Sequence, residues 1–284
     1  MKTRIVLTLI AAAALAGCGG DSGSSGDTVV AALYPLAFAA EQIGGDEITV
    51  ENLTPPGVEP HDLELSAGDI QTIGGAEVVL YLGSGFQPAL ERAIDSTSAQ
   101  GVDLLAAVET HEGGEEEHGV DPHVWLDPNR YAAIAERIGE QLNRKTEAAA
   151  FADRLRSLDV EFRRGLSGCE HDEIVTSHAA FGYLAERYGL KQVAITGLSP
   201  EAEPTPRDLE QVVDEVRAVG ATTVFFETLI SPRLAQTVAR EVDAQTAVLD
   251  PIEGLTENEA AAGEDYFSIM RENLAALRKA LACP

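Results

Sequence analysis

Basic residues are scarce in this chain. Lys and Arg number 20 against 47 Asp and Glu, a formal net charge of −27 over 284 residues. Such a surface repels the phosphates of nucleic acids and of anionic lipids. The acidic excess reads as a solvated coat that also gathers cations. Three motif absences narrow the chemistry. No HExxH is present, and the glycine-rich "LGSGFQP" after a strand lacks a second glycine pattern and a Walker lysine. No CxxC pair is present, so the cysteines carry no metal-type spacing. Beyond the first twenty residues, no apolar run is long enough to span a bilayer.

The opening "MKTRIVLTLIAAAALAGCGG" pairs a basic start, Lys2 and Arg4, with a short apolar stretch from Ile5 to Ala16. That is the pattern of a signal peptide rather than a transmembrane helix. Its end, Leu15-Ala16-Gly17-Cys18, resembles the bacterial lipobox, which implies cleavage before Cys18 and lipid on its sulfur. Residues 1–17 are then the signal peptide, and 18–27 the lipidated cysteine with a Gly/Ser-rich tether. Without Lys2 and Arg4, 18 basic residues face 47 acidic ones. Cys169 and Cys283 remain as an even pair in an exported chain, which predicts a disulfide.

From Thr28 onward, apolar strand-like runs alternate with amphipathic helical ones, twice over. "TVVAAL", "ITVENL", "EVVLYLG" and "GVDLLAA" are strands of a first half; "DEIVTS", "KQVAIT", "TTVFFE" and "QTAVLD" are those of a second. The alternation predicts an α/β fold of two lobes with largely parallel sheets. Between the halves, no proline follows Pro128 and no glycine falls between Gly139 and Gly165, while Phe151, Leu155, Leu158, Phe162 and Leu166 recur at helical spacing. This predicts two consecutive helices, the second a stiff spine. The expected organisation is an N-terminal lobe over 28–143, a connecting helix over 144–167 and a C-terminal lobe over 168–284.

Chemistry-bearing residues cluster at the strand ends. His61 lies in "PPGVEPHDLELSAGDI", on a loop set by prolines and ahead of a helix that Ser66 caps. His178 follows "EIVTS" directly, and Asp250 ends "TAVLD" before Pro251. In open α/β sheets, ligand crevices form at the carboxyl ends of strands. His123, in "DPHVWLDP", sits on a turn entering the inter-lobe helices. Two candidates come from each half, so a cleft between the lobes can gather all four. Three imidazoles and a carboxylate suit a borderline cation such as Zn²⁺. Four protein ligands also leave no open position for a hydrolytic water, which argues against an enzyme.

These segments together resemble the metal-type solute-binding lipoproteins of bacterial ABC transporters, the zinc and manganese uptake family. "PPGVEPHDLELSAGDI", "DPHVWLDP", "TSHAAFGYLAERYGL" and "VLDPI" resemble its four ligand motifs, and "SPEAEPTPRDL" and "TVFFET" its recurring segments. The resemblance runs from Thr28 to Leu281. It implies two α/β lobes joined by a long rigid helix, with His61, His123, His178 and Asp250 as metal ligands in the cleft. It further implies a monomer outside the cytoplasm, anchored through Cys18, that delivers metal to an ABC permease and its ATPase. Histidine at position 178 favours zinc, with manganese or iron as the alternative cargo; hydrolase and surface-adhesin readings are weaker. Glu59, Glu203 and Glu227 are candidates for holding an imidazole tautomer or a loop near the cleft. "ETHEGGEEEHGVD" carries His111 and His118 among five glutamates. It reads as a solvated acidic loop, with loose zinc capture the alternative. His171 reads as structural. Reference imidazole pKa values near 6.5 predict that binding weakens below about pH 6.

Overall fold

The computed structural model describes residues 28–112 and 119–284. Cys18 and His118 lie outside them. Among the described residues, eight strands form two four-stranded, all-parallel sheets. The first comprises β1 (Thr28–Ala31), β2 (Thr49–Asn52), β3 (Val78–Tyr81) and β4 (Gly101–Asp103), in the order β2-β1-β3-β4. The second comprises β5 (Glu173–Thr176), β6 (Lys191–Ala194), β7 (Thr223–Phe226) and β8 (Gln245–Val248), in the equivalent order β6-β5-β7-β8. Three helices accompany the first sheet: α1 (Tyr34–Gly44), α2 (Ala67–Gly75) and α3 (Pro88–Thr97). Then come α4 (Pro128–Gln141) and α5 (Lys145–Gly165), followed by α6 (Gly182–Tyr188), α7 (Pro206–Val219), α8 (Arg233–Val242), α9 (Glu257–Ala262) and α10 (Tyr266–Ala280).

Local chemistry explains most boundaries. Ser66 accepts from the Asp69 N–H while Asp69 accepts from the Ser66 N–H, a reciprocal cap that starts α2. Thr205 and Asp208 do the same for α7, with Pro206 in the first turn. Gly220 at φ 67° ends it in the left-handed region that glycine enters without steric cost. The expected strand "GVDLLAA" stops at Asp103, whose carboxylate accepts from the N–H groups of Gly83 and Leu105 and turns the chain into a short 3₁₀ segment. The short helix α9 was not legible in the sequence as an element of its own.

The 21 residues of α5 span about 30 Å at 1.5 Å per residue and pack against both lobes. Near its start, Phe151 meets Phe38 of α1 edge-on at 5.8 Å. Near its end, Phe162 stacks on Tyr188 of α6 at 5.1 Å, and Asp159 accepts from both Arg163 and Arg187. One continuous core therefore runs from β1 and β3 through α4, α5 and α10 to the inner face of the second sheet. A second core of Val, Ile and Ala side chains lies between that sheet and α7 and α8. Cys169 and Cys283 form a disulfide that joins the segment before β5 to the C-terminal end across 114 residues. It lies on the amino side of the strands, away from the cleft.

Candidate metal centre

One nitrogen from each of His61, His123 and His178 and one carboxylate oxygen of Glu253 lie within 4.8 Å of one another. The group is the one cluster of this kind among the described residues. The Glu253 Oε1 stands 2.8 Å from His123 Nε2, 3.1 Å from His61 Nε2 and 3.4 Å from His178 Nε2. The two Nε2 atoms of His123 and His178 are 3.3 Å apart. A tetrahedron of donors at about 2.0–2.1 Å from zinc has edges of about 3.3 Å. The three Glu253 contacts and the His123–His178 pair lie close to that edge, and the whole donor set lies within 4.8 Å. The second oxygen of Glu253 is buried with no partner. A buried, unsatisfied carboxylate oxygen costs free energy unless a cation or donor meets it.

The turn carrying each histidine is built differently. His61 lies in a 3₁₀ turn, Pro60–Asp62, capped by Glu59, whose Oε1 accepts the His61 N–H at 3.0 Å. Gln87 donates to the Pro60 carbonyl, and the Phe86 ring meets His61 edge-on at 4.8 Å. His123 follows Asp121 and Pro122; one Asp121 oxygen accepts both the His123 N–H at 3.0 Å and its ring Nδ1–H at 2.7 Å. His178 leaves β5 with its carbonyl held by Thr176 and Gln192, and its Nδ1 meets Glu227 at 2.7 Å. Carboxylates on Nδ1 of His123 and His178 direct the lone pair of each neutral ring, at Nε2, into the cluster.

Charge around these rings is concentrated and dry. Burial pulls the His123 imidazole down, but hydrogen bonds and charge from Asp121 and Glu253 outweigh it, and its pKa rises to about 8. Burial opposes protonation of His178 too; Glu227 and Glu253 carry it up to about 10. Burial raises Glu253, yet the three imidazoles more than compensate and hold it well below the ordinary carboxylate range. Glu59 is pushed up to about 8, first by burial and then by the charge of Glu253.

Asp250 does not join the three imidazoles; the structure brings Glu253 there instead. The two Asp250 oxygens are taken by the Ile252 N–H at 2.7 Å and the Thr228 hydroxyl at 2.5 Å. Burial raises its pKa to about 7. Glu227 lies behind His178, and Glu59 holds the His61 backbone. Glu203 is exposed on a loop beside a depression of about 460 Å³ that Ile230 and Leu234 also line. His111 stacks on Tyr183 at 4.2 Å and pairs with Glu186, outside the cluster. Sequence reasoning missed Asp121 and Glu253. The signal for Asp121 was the repetition of acid-Pro-His in "EPH" and "DPH". For Glu253 it was a second acid in "DPIEG", framed by proline and glycine.

Two parallel α/β lobes, a spine helix common to both and a buried His₃–carboxylate cluster between them define a two-lobed binding protein with a metal-competent cleft. The chain belongs to the zinc-uptake complex component A, periplasmic, family, which it matches over residues 29–280. It is a family of uptake components rather than of enzymes. The chain is 35% identical to the zinc-binding lipoprotein AdcA of Streptococcus pneumoniae over 98% of its own length and 60% of the relative's. It therefore spans somewhat over half of that protein. With the high-affinity zinc uptake system protein ZnuA of Bacillus subtilis it shares 34% identity over 96% of this chain and 94% of the relative. The crystal structure of the Zn(II)-bound ZnuA-like domain of Streptococcus pneumoniae AdcA is 36% identical with a TM-score of 0.77, covering 89% of this chain and 98% of that one. The laminin-binding protein of Streptococcus agalactiae, described as a bifunctional adhesin and metal transporter, has a TM-score of 0.82 at 26% identity, covering 90% of this chain and all of that one.

Proposed function

We propose that this chain captures one Zn²⁺ between its lobes, outside the cytoplasm, and passes it to a membrane permease driven by an ATPase. The observation that carries the reading is the convergence of three imidazole nitrogens and one Glu253 oxygen, all within 4.8 Å of one another. His61, His123, His178 and Glu253 are the proposed ligands. Nitrogen-rich donors favour zinc over manganese, which prefers oxygen. Four protein donors close the shell and leave no open position for a hydrolytic water. The zinc-binding and zinc-uptake names of relatives at 34–35% identity support the same cargo. The lipobox-like Cys18 is the proposed anchor, the chain acts as a monomer, and residues 28–143, 144–167 and 168–284 are its two lobes and their connecting helix.

The test is a competition titration. The form lacking residues 1–26 is stripped with chelator and offered Zn²⁺ and Mn²⁺ together. One tight zinc equivalent, weakened by Glu253→Ala, is expected. Tight manganese with weak zinc reverses the cargo, and uptake of neither ion ends the assignment.

A further inference from the structure

The turn that presents Glu253 is strained, and Asp250 is what holds it. Ile252 sits at φ 56°, in the left-handed region that a β-branched side chain rarely enters, and it is fully buried. Strain of this kind persists only where the surroundings over-determine the backbone. Here they do. The Asp250 carboxylate accepts the Ile252 N–H at 2.7 Å across the turn and the Thr228 hydroxyl at 2.5 Å. Its backbone N–H donates to Asn273 Oδ1 at 2.8 Å, and its carbonyl accepts from Asn273 Nδ2 at 2.6 Å. The next carbonyl, of Pro251, accepts the Trp125 indole N–H at 2.7 Å, two residues from the ligand candidate His123. Every polar backbone group from Asp250 to the Ile252 N–H is thereby tied to α10, to Trp125 or to Asp250 itself. Glu253 is the first residue beyond this clamp, and its side chain enters the imidazole cluster.

We propose that Asp250 is a positioning residue for the metal site, acting through the left-handed Ile252 to aim the Glu253 carboxylate at the three imidazoles. The inference rests on the metal-capture reading. It differs from the alternative that Asp250 merely stabilises the C-terminal lobe, because a positioning role disappears once Glu253 has no carboxylate to aim.

The test is a double-mutant cycle on the full chain, stripped of metal, with Zn²⁺ affinity read by chelator competition. Asp250→Ala is expected to lose about ten- to hundredfold in affinity, the range seen when groups that orient ligands are removed. In a Glu253→Ala background the same substitution is expected to change affinity less than about twofold. Asp250→Asn keeps an acceptor for the Ile252 N–H and is expected to restore nearly full affinity. Bound Co²⁺ gives a second readout: Asp250→Ala should weaken the intense visible bands of the tetrahedral ion as Glu253→Ala does. Should Asp250→Ala fail to fold, Thr228→Val removes only the hydroxyl that holds Oδ2 and should show a smaller loss with the same dependence on Glu253. Equal losses in both backgrounds, or no loss in either, overturn the proposal. Absence of metal uptake by the unaltered chain overturns the capture reading instead, so the two failures are distinct.

Discussion

The molecule contains the same three-residue device twice, Glu59-Pro60-His61 and Asp121-Pro122-His123, and the two copies hold their histidines unequally. In both, the acid two positions back accepts the histidine N–H at 3.0 Å. In the second copy the same Asp121 oxygen also reaches the ring Nδ1 at 2.7 Å, and the imidazole is fully buried. In the first copy the longer Glu59 takes the backbone N–H, no hydrogen bond fixes the His61 Nδ1 among the described residues, and the side chain keeps 11% exposure. A shared turn therefore fixes where a histidine lies along the chain. A carboxylate on Nδ1 fixes which nitrogen faces the metal, and of the three imidazoles His123 and His178 have one among the described residues.

The comparison has graded consequences. The largest effect belongs to His123→Ala, which removes a locked ligand and takes from buried Asp121 and Glu253 their shortest imidazole contacts. A quarter of the ~10–16 kcal/mol typical of four-ligand zinc peptides predicts a zinc affinity loss of about a hundred- to a thousandfold. His61→Ala should cost about tenfold less than that, because water can take the rim position; equal losses by competition titration would break the comparison. Next come the orienting carboxylates. Asp121→Asn and Glu227→Gln should each weaken zinc by about 10–100-fold with the fold intact, checked by affinity alongside thermal unfolding.

The pH profile sharpens the contrast further. In the metal-free protein His123 titrates near 8 and His178 near 10, so both rings are protonated at pH 7 and zinc must displace those protons. Affinity should therefore fall from above pH 8 downward, not only below the pH 6 that reference imidazoles suggest. Calorimetry in buffers of different ionisation enthalpy should register proton release at pH 7. The sign for stability is the reverse. Raised histidine pKa values stabilise the metal-free fold fully below about pH 6.5, and that contribution is lost as pH rises through 8 and then 10. The smallest effect is Glu59→Gln. With its pKa near 8, Glu59 is already mostly uncharged at neutral pH, and the amide oxygen can still accept the His61 N–H. Zinc affinity at pH 7 should move less than about threefold, and a larger change would show that Glu59 acts as an anion.

Much of the scaffold was legible because its signals are local. Alternating apolar runs marked all eight strands, Ser66 announced a helix start, and the glycine-free stretch after Gly139 marked the spine. The three histidines were legible for the same reason, since each lies just beyond a strand or a proline turn. What failed depended on side-chain contacts or on elements too short to show a period. Leu104 and Leu105 leave the strand because Asp103 turns the chain back toward Gly83, and α9 is too short for periodicity to reveal it.

The fourth donor shows where the division falls. The chain by itself determined two parallel α/β lobes, a spine and three imidazoles at strand ends, since propensity, caps and strand-end position are properties of short segments. It placed two acids, Asp250 and Glu253, three residues apart in one turn, and strand-end position pointed to Asp250. Only the tertiary structure decided between them. Asn273, Thr228 and Trp125 reach the turn from 22 or more residues away, hold Ile252 left-handed and consume the carboxylate of Asp250, so that Glu253 is the acid that faces the cleft.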